Sequence, residues 1–256
     1  VITSTRNPRI KWVRSLLKRR RARREGFFVL EGIRLAREAA AAKEPVHLVL
    51  HTQKVGEMES DLIGALADLG AEVLQVAGHV LQACSSTQSA PGLLVVLPGI
   101  ERHVPEDLDL ALVIDRMADP GNLGALLRSA DAAGVQAVFL TKDTVDAYNP
   151  KVVRGAMGAH FRLPVLPVSI STLAAHLKGL EVWLAEAGKG QAYHQIDWRR
   201  PSAIIIGGEA HGPRHELRVM SSGSVHVPMR EGTESLNAAV AAGIVLFEIA
   251  RQRGAT

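Results

Sequence analysis

The sequence predicts an α/β fold in two parts: a small α/β unit, then a larger domain whose parallel sheet is covered by helices on both faces. Three observations carry that expectation. From about residue 108 onward, near-continuous apolar runs alternate with stretches of helical periodicity, the pattern of strands buried on both faces. Before that point the same alternation runs through shorter elements. Between the two, residues 98–107 carry prolines, a glycine and several charges between apolar strands and read as a linker. The expected domains are residues 1–100 and 108–256.

In chain order, residues 7–24 place Ile10, Val13, Leu16 and Leu17 at helical spacing. A strand at 27–30 and a helix at 33–42 follow, then a strand at 46–50, a helix at 62–69 and strands at 73–76 and 93–97. In the second domain, 111–115, 137–141, 182–185 and 203–208 read as buried strands. Helices are expected at 123–133, 151–157, 171–177, 213–220 and 236–253. Ligands of open parallel sheets bind beyond the carboxyl ends of the strands, so the residues that follow the strands are the candidates for chemistry.

Composition narrows the classes. Apolar residues make up 47% of the chain and charged residues 22%, enough for a sizeable core. The single cysteine, Cys84, allows no disulfide within the chain and reads as a small core residue. No metal cluster, Ser/His/Asp triad or spaced carboxylate pair is evident, so no metal is expected. The N-terminus is basic and polar, without an apolar signal segment, and no apolar run is long enough to span a bilayer. A cytoplasmic protein without a membrane partner is expected. The net charge of +4 is unevenly placed: between Arg6 and Arg24 stand ten Lys/Arg and no acid, whereas from residue 106 onward 15 basic residues balance 16 acidic ones. Arg19, Arg20, Arg21, Arg23 and Arg24 suit a polyphosphate partner such as RNA, because neutralising phosphates releases counterions. The alternative is a solvated basic helix face.

Three segments follow strands. In the first, Asp115 ends a strand, a Pro-Gly turn follows, and Asn122 is placed to cap a helix. Gly124 and Arg128 are four apart on one face, and an arginine near a helix start invites an anionic ligand; pairing with Asp131 is the plain alternative. In the second, a buried strand runs into Gly207-Gly208-Glu209-Ala210-His211-Gly212-Pro213, with the proline in the first turn of a helix. Glycines here permit close backbone approach to a ligand, and a tight turn explains them equally well. The segment matches neither the dinucleotide fingerprint nor the P-loop. The third runs from Val227-Pro228-Met229 to Ser235-Leu236-Asn237 and into a long apolar helix. Ser235 is placed to cap it, and Asn237 shares a face with Glu248 three turns on. A salt bridge to Arg251 or Arg253 is the structural reading of Glu248.

Taken together and in this order, the segments resemble the SpoU/TrmH family of RNA 2′-O-ribose methyltransferases in the SPOUT superfamily. The family's Asn-x-Gly-x-x-x-Arg stands as Asn122, Gly124 and Arg128. Its Gly-x-Glu-x-x-Gly stands as Gly207, Glu209 and Gly212, and its third motif as Val227-Pro228-Met229 with Ser235-Leu236-Asn237. The match covers about residues 111–252. More loosely, Ser4 to Lys11 and Phe28 to Gly32 are similar to this family's ribosomal-protein-like RNA-binding domain. Many relatives have Val-Ser where Ala238-Ala239 stand here. The resemblance implies a deep C-terminal trefoil knot, a homodimer, and S-adenosylmethionine held by Gly207, Val227 and Leu236, with Thr141 as a further contact. It implies Arg128, Asn122, Glu209, Ser235 and Asn237 as the catalytic set.

The implied reaction is attack of a ribose oxygen on a sulfonium methyl, so the protein must position and deprotonate a weakly acidic hydroxyl. A guanidinium rarely releases its proton. Arg128 is therefore expected to clamp the neighbouring phosphate and stabilise developing alkoxide charge, with a role as base the alternative. The two-domain layout resembles ribosomal RNA enzymes more than minimal tRNA enzymes, so large-subunit rRNA is the expected substrate. A tRNA methyltransferase and a catalytically silent RNA-binding or ribosome-assembly protein are the alternatives, the latter distinguished by RNA binding without methyl transfer. An unrelated α/β enzyme on a small nucleotide would lack RNA affinity altogether.

Overall fold

The computed structural model describes residues 1–18, 25–53, 56–89, 91–208 and 212–254. Arg19, Arg20, Arg21, Arg23 and Arg24 of the basic run, and Glu209 of the glycine-rich turn, lie outside the described residues. The chain divides into two compact units, Val1–Ile100 with Tyr148–Phe161, and Glu101–Ala147 with Arg162–Thr256. A single cut near residues 98–107 therefore does not describe the division. Residues 148–161 return to the first unit because Val153 and Phe161 share a buried cluster with Phe28, Leu30 and Leu35, and Tyr148 packs 4.8 Å from the Phe28 ring.

The first unit carries α1 (Pro8–Leu16), β1 (Phe27–Glu31), α2 (Ile33–Ala41), β2 (Leu48–His51), α3 (Glu57–Asp68), β3 (Glu72–Gln75), α4 (Gly78–Ala83) and β4 (Leu93–Pro98). Its sheet order is β1-β4-β2-β3, with β2 and β3 parallel and the other pairs antiparallel. Alternate residues serve opposite faces, as strand geometry requires. Leu93, Val95 and Leu97 enter one apolar cluster, and Leu94 and Val96 the other. Asn7 caps α1 by accepting from the Arg9 N–H at 2.9 Å, and Pro8 fits the first helical position. Helix α4 escapes the periodicity argument because its buried residues are the adjacent Val80 and Leu81.

In the second unit, β5 (Leu110–Asp115), α5 (Pro120–Ala132), β6 (Ala137–Leu140), β7 (Val165–Pro167), α7 (Ile170–His176), β8 (Glu181–Ala185), β9 (Gln191–Ala192), β10 (Ser202–Gly207), α8 (His215–Met220), β11 (Gly223–His226) and α9 (Ala238–Gln252) follow. Helix α6 (Pro150–Ala156) belongs to the first unit. The sheet order is β7-β6-β5-β10-β8-β11-β9, and every pairing is parallel. Strands β5, β6, β8 and β10 match the expected buried runs. The short β7, β9 and β11 do not show in the sequence; β11 buries Val225 alone.

Strand β11 lies between β8 and β9, with Val225 in register with both Ala185 and Gln191. Residues 186–190, which join β8 to β9, must therefore cross β11. Gly190 makes the crossing possible: its φ is +73°, and a Cβ there would lie 1.9 Å from the Ser224 carbonyl oxygen.

Four local expectations change. Asp119, not Asn122, caps α5, accepting from the Asn122 N–H at 2.7 Å. Because α5 begins at Pro120, Arg128 stands in its second half, so a helix-start argument does not apply to it. Asn237, not Ser235, caps α9, its side chain accepting from the Ala239 and Val240 N–H groups. Pro213 precedes α8, which begins at His215.

Candidate active site

The carboxyl ends of β8, β10 and β11 lie side by side and open into a cavity of about 140 Å³. It is lined by Ala185, Glu186 and Ala187 at the end of β8, by Ile206 and Gly207 at the end of β10, and by Val225, His226 and Val227 at the end of β11. The chain then passes Met229, Ser235 and Leu236, which also line it, into α9, which adds Ala238, Ala241 and Val245. The surfaces are chiefly apolar because most of the residues that line them are Ala, Val, Ile, Leu and Met.

Of the residues expected to hold a cofactor, Gly207, Val227 and Leu236 line this cavity together. Thr141 does not. It is buried at the end of β6, and its hydroxyl donates to Asp115 Oδ1 at 2.5 Å. Thr141 follows β6, whereas the strands that end at the cavity are β8, β10 and β11. Sequence reasoning missed Glu186, since a charged residue after a strand looks like ordinary surface.

Gly207 acts through its own chain. A Cβ there would lie 2.4 Å from the Pro213 nitrogen and 2.5 Å from the Gly212 carbonyl carbon. The next residue is equally confined, a Cβ at Gly208 lying 2.4 Å from the Arg116 carbonyl oxygen. The Gly212 N–H donates to the Gly208 carbonyl at 2.9 Å.

The first and third motifs meet. Asn237 Nδ2 donates to Asn122 Oδ1 at 2.8 Å, a bond spanning 115 positions of sequence. Asn237 follows directly on Ser235 and Leu236, both on the cavity wall, so this bond ties the first turn of α5 to the rim. Arg128 is exposed on α5, and no ion pair or hydrogen bond of its side chain is formed among the described residues. Asp131, its suggested partner, instead takes Arg162 at 2.9 Å.

Beneath these loops sits a carboxylate the motifs do not include. Asp115, fully buried at the end of β5, accepts from Arg214 Nε at 2.7 Å through Oδ1 and from the Arg214 N–H at 2.9 Å through Oδ2. Arg214 also donates to the Lys142 carbonyl at 2.9 Å, and Arg116 to the Gly212 carbonyl at 2.8 Å. The end of the glycine-rich loop is thereby pinned to the ends of β5 and β6.

Glu186 receives Arg218 at 2.7 Å and Lys189 at 3.4 Å on Oε1, and the Ser224 hydroxyl at 3.0 Å on Oε2. Burial pushes its carboxyl up, but the hydrogen bonds from Arg218 and Ser224 and the charges of Arg218 and Lys189 outweigh that and hold it below its ordinary value. Glu248 is paired on α9, with Arg251 Nε and Nη2 each at 2.8 Å and Gln252 Nε2 also at 2.8 Å. These partners draw its carboxyl down to about 2. This is the structural reading of Glu248. Among the described residues, no group of three or more His, Cys, Asp or Glu is gathered to hold a metal, and no helix is long and apolar enough to cross a membrane.

Comparison with known proteins bears on the same segments. Residues 109–247 match the SpoU rRNA Methylase family, and residues 7–95 match an MRM3-like substrate binding domain. An uncharacterized tRNA/rRNA methyltransferase of Synechocystis is 33% identical, the alignment covering 99% of this chain and 94% of that one. The 23S rRNA (guanosine(2553)-2′-O)-methyltransferase RlmP of Bacillus subtilis is 30% identical over 97% of this chain and 98% of its own. The crystal structure of the SpoU methyltransferase AviRb from Streptomyces viridochromogenes in complex with AdoMet superposes with a TM-score of 0.87 at 26% identity, covering 97% of this chain and 98% of that one.

Proposed function

The chain belongs to the SpoU rRNA methylase family, and from that premise we propose that it methylates a ribose 2′-hydroxyl of large-subunit rRNA with S-adenosylmethionine as donor. RlmP, similar over almost the whole length, is named for 23S rRNA, which favours rRNA over tRNA. The observation that carries the site is the Asn122–Asn237 bond, which brings the first motif to the rim of the cavity that Gly207, Val227 and Leu236 line. The cavity fits the cofactor in kind: apolar walls suit an adenine and a methionine stem, and strand ends offer backbone groups. When bound, S-adenosylmethionine supplies an activated methyl on a sulfonium.

The remaining work falls to the chain. Asn122 and Asn237 fix the rim, and Ser235 stands on it for contact with the ribose. Arg128, exposed and without an ion pair among the described residues, clamps a substrate phosphate through its planar fork and offsets charge developing on the attacked oxygen. Glu209 is assigned to ordering the glycine-rich loop. The basic residues Arg19, Arg20, Arg21, Arg23 and Arg24 bind RNA phosphates. The crossing of β11 by residues 186–190 supports a trefoil knot in this domain. A homodimer is part of this reading, supported by the exposed apolar Val240 and Phe247 on α9, one heptad apart and 52% and 49% exposed. A cytoplasmic location accords with an rRNA substrate.

Single-turnover methyl transfer by Arg128→Ala and Arg128→Lys tests the assignment. A phosphate clamp predicts loss in both variants with no recovery at high pH, because lysine keeps the charge but not the fork. Recovery of Arg128→Lys as pH rises would make Arg128 the base, and near-normal turnover by Arg128→Ala would remove it from the site.

A further inference from the structure

Glu186 stands apart on the cavity wall. Among the described residues that line the cavity, it is the only carboxylate, and its side chain is only 10% exposed. It follows β8 at the start of the crossing segment, and its N–H donates to the Val225 carbonyl at 3.0 Å, fixing its backbone to β11. No sequence motif of the site includes it.

Its partners show what it has left to offer. Oε1 carries both Arg218 and Lys189, whereas Oε2 accepts a single bond, from the Ser224 hydroxyl. A carboxylate oxygen has room for two donors, so among the described residues Oε2 of this cavity-lining side chain retains an open acceptor site. The two cations already balance the charge locally, and a cationic ligand group would compete with them. A neutral hydroxyl donor needs only the open lone pair. The hydrogen bonds from Arg218 and Ser224 also fix the carboxylate in place before any ligand arrives, which lowers the ordering cost of binding. S-adenosylmethionine presents hydroxyls at one place, the vicinal 2′- and 3′-hydroxyls of its ribose.

We infer that Glu186 accepts a hydrogen bond from the cofactor's ribose hydroxyls and is a specificity-determining residue for the adenosyl group. The inference rests on the cofactor assignment above. It makes Glu186, Arg218 and Ser224 one device: the arginine and serine aim the carboxylate, and the carboxylate reads the ribose. It also gives the crossing segment 186–190 a role in binding as well as in topology.

The test is calorimetric binding of S-adenosylhomocysteine and its 2′-deoxy and 3′-deoxy analogues to the full chain, with wild type, Glu186→Ala and Glu186→Gln. Wild type should bind the parent compound about tenfold or more tightly than at least one deoxy analogue, as expected for a hydrogen bond to a charged group. Glu186→Ala should bind the parent and that analogue alike. If Glu186→Ala does not fold, as judged by its circular dichroism, Glu186→Gln takes its place. The amide keeps the shape and a neutral acceptor, so selectivity should drop by about threefold or more. A purely structural Glu186 would change overall affinity and leave the selectivity ratio intact. Equal discrimination by wild type and variants, or none by wild type, would overturn the inference. Failure of well-folded wild type to bind S-adenosylhomocysteine at all would instead overturn the cofactor assignment on which it rests.

Discussion

Asp115→Ala should be among the most destabilising single changes in the second unit, and its size follows from the hydrogen bonds that the carboxylate accepts. The variant strips the Arg214 guanidinium of its partner at 2.7 Å, the Arg214 N–H of its acceptor at 2.9 Å, and the Thr141 hydroxyl of its acceptor at 2.5 Å. Removing one member of a buried ion pair costs about 3–5 kcal/mol, because the other charge stays uncompensated. Arg214 keeps the Lys142 carbonyl at 2.9 Å and is 19% exposed, so the lower end applies, about 3 kcal/mol. Domains of this size lose roughly 2–4 °C of melting temperature per kcal/mol, which makes the expected fall about 6–12 °C. Fluorescence-monitored melting reads it, since Trp183 and Trp198 pack together in the same unit. The double variant Asp115→Ala/Arg214→Met should recover part of the loss, since the unpaired charge goes with the arginine. A fall of under about 1 kcal/mol for the single variant, or a double variant as unstable as the sum of the two single changes, would refute the picture of a buried pair holding the loop.

Glu248→Gln should cost about 1 kcal/mol or less at neutral pH, the range of exposed pairs, since Arg251 is 67% exposed. The folded carboxyl is drawn from 4.5 to about 2, so its contribution is present above pH 4.5 and fades as pH falls towards 2; urea titrations across that window should show wild type and variant converging, and a gap that holds constant would mean the pair contributes nothing through ionisation. Gly207→Ala should lower stability by about 1–3 kcal/mol and weaken cofactor affinity indirectly, because its Cβ must displace the Gly212–Pro213 backbone; unchanged melting and binding would show that the turn yields freely. Neutralising Arg19, Arg20, Arg21, Arg23 and Arg24 should flatten the salt dependence of RNA binding and spare cofactor affinity, and an unaltered slope would assign those charges to solvent. Phe247→Glu should turn a dimer into monomers in light scattering; a variant as dimeric as wild type would place the interface elsewhere.

What could be read from the sequence divides by range. The buried strands β5, β6, β8 and β10 and the long helix α9 announce themselves, because apolar runs and helical spacing are local properties. Motif spacing gathers Gly207, Val227 and Leu236 around one cavity, since Gly207 ends one strand, Val227 follows another, and Leu236 stands where the chain enters α9. What is not legible at the cavity is which strand lies beside which. Thr141 looks equivalent to a cavity residue because it also ends a strand, but β6 lies on the far side of β5 from β10. Nothing local says that β11 inserts between β8 and β9, so the position that brings Glu186 to the cavity is invisible until the order is known. The caps show the same division on a smaller scale. Asn122 and Ser235 have the right chemistry to cap, yet Asp119 and Asn237 do so. That exchange relieves the Asn122 side chain of capping duty, and its oxygen accepts from Asn237 instead. The exchanged cap is thus part of how the two motifs come to meet: Asn237 uses its oxygen for α9 and its nitrogen for Asn122, and a serine or aspartate at that position would cap the helix equally well but could not donate through a second side-chain atom.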